Sequence, residues 1–321
     1  MPRLAVVFDA NAYRALSEAR ANNLWSAERS SGIVAVASQW VCAELLTHVA
    51  DQTDRSFSSA WAAIRRLADH CAVFDGGRRI IRFLLNADAQ LLLSLFGIRS
   101  HLSTGIDDYG SLVGSIADAV SPDDLTHHSE VLRHTASFVS SKEAEWASTI
   151  QSGIVGVYHD LAPRWAPDLT DSERRLRTAD LLRSELALEH CAAMYARSVL
   201  LLHGLSVSAK ELTTAAQRCT HDYPVPLRLY NEILARIILA PEMSLAKRAN
   251  WLWDIQLAFA VSTRLAKQGT PVWIVTSDED IIDASVRAGA SRLVRSLTDY
   301  EALVHKGTDA VVDAVEDSAA A

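Results

Sequence analysis

Surplus positive charge is the first thing this chain does not have. Its 31 Lys and Arg stand against 39 Asp and Glu, a formal net charge of −8 over 321 residues. Proteins that grip nucleic acid mainly by charge are usually basic, so this balance argues against a general phosphate-binding surface. A nucleic-acid enzyme is not excluded. Clustered carboxylates add negative charge that a divalent metal offsets, and a local basic stripe can still hold a strand. Cysteine is scarce. Cys42, Cys71, Cys191 and Cys219 form no CxxC pair and no zinc spacing with His, which reads as reduced, mostly buried thiols. No apolar run reaches the roughly 18 residues of a membrane span, and no basic-then-apolar leader opens the chain. The expectation is a soluble, cytoplasmic protein with no membrane partner. There is no internal repeat, and no glycine-rich turn after the first apolar run of the kind that cradles a dinucleotide.

What the chain does have is 49% hydrophobic residues, enough for a large core. Leu4-Ala5-Val6-Val7-Phe8 is apolar on both faces and stops at Asp9-Ala10-Asn11, as a buried strand of a parallel sheet does. A helix is expected over 12–29, a second strand over 32–37, and a helix capped by Ser38 that carries Glu44. A helix over 58–70 and a third strand over 71–74 follow. From about 78 to 243 the pattern is helical only, with helices over 79–96, 108–120, 121–139, 142–158, 172–205, 208–219 and 227–239. A long helix over 244–265 comes next. Strands over 271–275 and 292–294 then alternate with helices after Asp278 and over 299–305, the first ended by Gly289. Alternating strands and helices predict an α/β, three-layer parallel sheet. Residues 1–85 and 244–306 form one discontinuous core, 86–243 a large all-α insertion, and 307–321 a flexible tail.

Two strands end in acids, Asp9 and Asp278, and ligands of open parallel sheets bind at such ends. Hard divalent cations take carboxylate oxygens. The bland reading of each acid is a helix cap. Two further acids sit in apolar helical stretches: Glu44, and Asp254 within Trp251-Leu252-Trp253-Asp254-Ile255. Asn250, Asp254 and Ala258 share one face by the i, i+4 rule. Arg78, Arg79, Lys247 and Arg248 are candidate nucleic-acid contacts, and Trp251 and Trp253 either stack bases or pack against the sheet.

Together these elements resemble the PIN-domain ribonucleases. The resemblance runs over strand-Asp9-Ala10-Asn11, Ser38 leading to Glu44, Trp253-Asp254 and strand-Thr276-Ser277-Asp278. It implies a PIN-like core of strand order 3-2-1-4-5, with the first and fourth strands adjacent. It also implies an acidic quartet of Asp9, Glu44, Asp254 and Asp278 holding Mg2+ or Mn2+, supported by Asn11, Thr276, Asp280 and Asn250. The implied activity is an endoribonuclease cutting single-stranded RNA, of toxin or defence type, with an antitoxin-like inhibitor or self-association as partners. A DNA-directed nuclease and a non-catalytic PIN-like scaffold are the alternatives. The chain departs from the family in size, since the linker from Glu44 to Asp254 is far longer than a compact PIN fold needs. A haloacid-dehalogenase-type phosphatase needs Asp at position 11, where this chain has Asn11.

Overall fold

The computed structural model describes residues 4–75, 78–99, 106–268 and 270–319. Its centre is a four-stranded, all-parallel sheet. Strand β1 (Ala5–Phe8) pairs with β2 (Val34–Ala35) on one side and with β5 (Val272–Val275) on the other, and β6 (Val294–Arg295) pairs with β5. The β1–β5 register sets Phe8 opposite Val275, so the two chains leave the sheet at the same level. Val6, Val7, Phe8, Trp273, Ile274 and Val275 are almost wholly buried, because helices cover both faces of a parallel sheet. Each such side chain contributes about 1.5–3 kcal/mol of burial.

The third expected strand, over 71–74, is not in this sheet. It forms β3 (Ala72–Asp75), paired antiparallel with β4 (Arg78–Ile81), where a helix over 79–96 was expected. Two β-prone runs separated by Gly76-Gly77 are a hairpin signal, and a partner two residues away costs less loop entropy than one across the sheet. The edge beyond β2 is instead met by Phe83, which bridges Ala37 in parallel, Ala37 N–H donating to Arg82 O and Leu84 N–H to Ala37 O. The observed order is therefore second, first, fourth, fifth among the expected strands, and the full order 3-2-1-4-5 is not seen.

Caps cut three expected helices into pieces. The span 12–29 is two helices, Ala10–Ala15 and Glu18–Ser30, the second capped by Ser17. The span 172–205 is two helices, Asp171–Leu182 and Glu185–Leu202, because Ser184 accepts a hydrogen bond from Ala187 N–H and starts a new helix. The span 244–265 divides into a 3₁₀ turn Leu245–Arg248 and helices Trp251–Ala258 and Thr263–Lys267, the last capped by Ser262. Gly289, at φ 67°, closes the helix Glu279–Arg287 as expected, a conformation that a residue without Cβ adopts freely. The tail expected to be flexible is the helix Thr308–Ala319. Val311 and Val315, one turn apart, are buried in the core, and that apolar stripe holds the helix down.

The middle of the chain, from the helix Ala87–Phe96 to the helix Pro224–Leu239, is helical. Its Leu91, Ile116, Val199 and Ile233 join the same continuous apolar cluster as the sheet residues Val6, Phe8 and Ile274. The helix Ser129–Thr149 lies along the helix Gln39–Val49. Val139 there packs with Ala43, Trp253, Trp40 and Leu252. That contact brings the middle segment to the carboxyl end of the sheet.

Candidate functional site

Asp9 stands directly after β1 and caps the helix Ala10–Ala15. Its Oδ1 accepts from Ala12 N–H, and its Oδ2 accepts from Thr276 Oγ1–H at 2.5 Å. Thr276 is fully buried, directly after β5, and its Oγ1 also accepts from Asp278 N–H at 2.9 Å. One hydroxyl thus ties the two strand-end acids together. Asp278 caps the helix Glu279–Arg287, its Oδ1 accepting from Asp280 N–H at 2.9 Å and Ile281 N–H at 3.1 Å. Both acids are therefore helix caps, and both also belong to one cluster.

The helical acids come to the same place. Glu44, on the helix Gln39–Val49, accepts from Arg14 Nη1 at 3.1 Å, and Arg14 Nη1 also reaches Asn11 Oδ1 at 3.3 Å. Asp254 Oδ2 is buried and accepts no hydrogen bond. An ionised oxygen so placed costs several kcal/mol unless a cation meets it. The electrostatics agree. Burial pushes the Asp254 carboxyl well above the usual range, and the charges of Asp278, Glu44, Asp9 and Asp280 push it further. Burial lifts Asp9 to about 6 against the hydrogen bonds of Thr276 and Ala12. Glu44 is raised by burial, opposed by Arg14, and raised again by Glu143. Asp278 is raised by burial, against the Ile281 N–H bond, and by Asp280. The four acids feel one another, but among the described residues no three His, Cys, Asp or Glu converge closely enough to clasp a metal as they stand.

The supporting residues are placed unevenly. Asn11 is exposed at the edge of the site beside Arg14. Asn250 is also exposed, and what joins it to Asp254 is backbone, its carbonyl accepting from Asp254 N–H at 3.2 Å. Asp280 is held by Arg236 Nη1 at 2.6 Å. Arg79 is bound to Asp69 and Asp118, an ion-pair role on the β3–β4 side. Arg248 lies over the Trp251 ring at 5.7 Å. The side chains of Arg78 and Lys247 lie outside the described residues. Trp253 stacks on Trp40 at 4.8 Å and donates its Nε1–H to Glu143 at 2.7 Å. It packs, and does not offer a free face for a base.

Arg14, Glu143 and Arg236 were not legible as site residues. Arg14 had a weak signal, its spacing of three from Asn11 on one helix. Glu143 and Arg236 reach the site from the middle segment, which carries no motif. No helix among the described residues is long and apolar enough to cross a membrane. No family model, no curated protein and no solved structure matches this chain.

Proposed function

We propose that this chain is a divalent-metal-dependent nuclease with a PIN-like core, cutting single-stranded RNA at the cluster of Asp9, Glu44, Asp254 and Asp278. The observation that carries the reading is the buried, unpartnered Oδ2 of Asp254, set among three further carboxylates that share its raised pKa. Hard oxygen donors gathered at the carboxyl ends of parallel strands suit Mg2+ or Mn2+. Such an ion, when bound, supplies an acidified water and neutralises charge developing on the phosphate.

The chain's own groups have separable tasks. Thr276 and Ala12 fix both oxygens of Asp9, leaving each a second lone pair for a cation. Asp254 offers the oxygen that nothing else holds. Asp278 is fixed by two backbone N–H groups and keeps its other oxygen for the site. Glu44, tethered by Arg14, is placed to orient a water. Arg236 pairs with Asp280 and offsets part of its repulsion of Asp278.

A single-stranded substrate fits the surroundings. The helix Ser129–Thr149 packs along the helix that carries Glu44, with its Glu143 bonded to Trp253 beside Asp254, and a flexible strand meets acids flanked in this way more readily than a rigid duplex does. The choice of RNA over DNA rests on the resemblance in the sequence. The test is incubation with labelled single-stranded RNA and single-stranded DNA, in manganese and then in EDTA. Cleavage of RNA that EDTA stops, and that Asp9→Asn abolishes in a folded protein, is the expected result. Full activity in Asp9→Asn would sink the assignment. Absence of metal-dependent cleavage of any strand by the folded wild type would favour a non-catalytic scaffold.

A further inference from the structure

Beside the acid cluster lies a second charged assembly, arginines gathered around one buried carboxylate. Glu232, on the helix Pro224–Leu239, is almost wholly buried and is met by three guanidinium groups. Arg183 donates to it through Nε at 2.8 Å and Nη2 at 3.0 Å, Arg287 through Nη1 at 3.0 Å, and Arg236 through Nε at 3.3 Å. Burial pushes Glu232 up, but the Arg183 hydrogen bond and the charges of Arg183, Arg287 and Arg236 outweigh it and hold the carboxyl below its usual range. One carboxylate needs one guanidinium. Here three share it, and a third or more of each side chain is exposed. Arg236 also holds Asp280, and the exposed Asp180 lies 4.0 Å from Arg183, so three cations face three carboxylates, of which Glu232 is the one all three share.

The assembly has a shape and a direction. Arg183, Arg287 and Glu232 line a small recess with Ser184, Arg228 and Asn231. Arg228 Nε is buried there without a hydrogen-bond partner. Ser184 starts the eighteen-residue helix Glu185–Leu202, whose N-terminal end adds partial positive charge. Arg236 bridges Glu232 to Asp280, and Asp280 N–H bonds to Asp278. The helix Glu279–Arg287 has the acid-site residue Asp278 at its start and Arg287 as its last residue, about 14 Å apart at helical rise.

We propose that Arg183, Arg287 and Arg236, held on Glu232, form a phosphate-binding subsite for the backbone of a single-stranded RNA, a few nucleotides from the bond cut at the acid cluster. This rests on the nuclease reading for the identity of the strand. Guanidinium forks match phosphate oxygens bidentately, and the carboxylate of Glu232 competes with a phosphate for them. Exposed guanidinium groups near the acid cluster are how an acidic protein can hold a polyanion locally.

The test measures binding of a short labelled single-stranded oligoribonucleotide in EDTA, with Asp9→Asn as background so that the strand stays intact. Arg183→Gln with Arg287→Gln should weaken binding about tenfold and lower the slope of log affinity against log salt by about 1.4, because two phosphates are no longer neutralised. Glu232→Gln moves the other way, since it frees positive charge: tighter binding and a steeper slope, with folding checked by circular dichroism. No measurable binding by the parent overturns the subsite. So does a double arginine variant with the parent's affinity and slope, or a folded Glu232→Gln variant that binds no tighter. If arginine-dependent binding is found while the wild type cuts nothing, the nuclease reading falls and the subsite stands. If the wild type cuts RNA and binding ignores the arginines, the reverse holds.

Discussion

Thr276 Oγ1 donates a hydrogen bond to Asp9 Oδ2 at 2.5 Å across 267 residues of sequence. The contact exists because β1 and β5 are parallel neighbours in a register that sets Phe8 beside Val275. A hydroxyl has one proton to give and lone pairs to receive, so Thr276 can serve Asp9 and accept from Asp278 N–H together. Thr276→Val keeps the shape and removes both functions. The Asp9 carboxylate then loses a donor while staying buried, at a stability cost of about 1–3 kcal/mol. Support of this kind for a metal ligand is worth about 10–100-fold in metal affinity. Titration of Mn2+ into Thr276→Val by calorimetry should show that loss with the fold intact, and unchanged affinity would show that Thr276 does not support a metal ligand.

The acid cluster makes stability depend on pH in an uncommon direction. Asp9 has a folded pKa of about 6 against an ordinary value of 3.8. The folded protein therefore keeps this proton where the unfolded chain has released it. Stability from this group is fully present below about 4 and is lost as pH rises through about 6, on the order of 3 kcal/mol for Asp9 alone. The raised directions of Asp254, Asp278 and Glu44 add in the same sense. A bound divalent ion favours the ionised forms and reverses the loss. Thermal melts with and without Mn2+ should therefore diverge as pH is raised through about 6, the metal adding little below it. A metal effect that is constant across this range would contradict the electrostatics.

Asp254→Asn separates the cost of the site from its use. The substitution removes a buried acid that four other acids repel and whose Oδ2 no hydrogen bond offsets. At neutral pH without metal, the variant should melt higher than the wild type. Stabilisation by Mn2+ and any RNA cleavage should be lost with it. Opposite changes in stability and activity are the sign of a functional residue held at a structural cost. A variant that melts lower and still responds to metal would make Asp254 a structural acid.

How far the sequence could be read follows from the range of the signals. The buried strands at Val6 to Phe8 and Val272 to Val275 were legible because a continuous apolar run ending in an acid is a local pattern. The caps at Ser38 and Asp278 were legible for the same reason, whereas the adjacency of Asp9 and Asp278 came from the strand order that the resemblance implies. β3 was misplaced because Ala72 to Phe74 suits either a sheet edge or a hairpin, and the choice depends on a partner. The break at Ser184 was passed over because the apolar spacing continues through it, and only the cap shows the new helix. Arg236, Arg183 and Glu143 were invisible as site residues because their partners, Asp280, Glu232 and Trp253, lie far away in the chain or on another helix. A pairing of that kind leaves no spacing to find.

Behind the sheet, a buried polar network fixes the helix on which Asp9 sits. Glu28 accepts from Tyr300 Oη–H at 2.7 Å through Oε1 and pairs with His70 Nε2 at 2.6 Å through Oε2. His70 Nδ1 meets Tyr13 Oη at 3.1 Å, and Tyr13 lies on the helix that Asp9 caps. The side chains of Glu28 and His70 are 3% and 2% exposed, so water cannot replace a lost partner. Glu28→Ala strands both His70 and Tyr300, and breaking a buried pair in this way costs roughly 3–5 kcal/mol. Replacing three polar groups together, with Glu28→Leu, His70→Phe and Tyr300→Phe, leaves Tyr13 Oη its Cys71 Sγ neighbour at 3.4 Å and should recover most of that loss. Urea unfolding of the single and triple variants measures the difference. RNA cleavage per folded molecule should be close to that of the wild type in the triple variant, because the network positions a helix and touches no acid of the site. If the triple variant unfolds as easily as Glu28→Ala, the network contributes through packing and not through its hydrogen bonds.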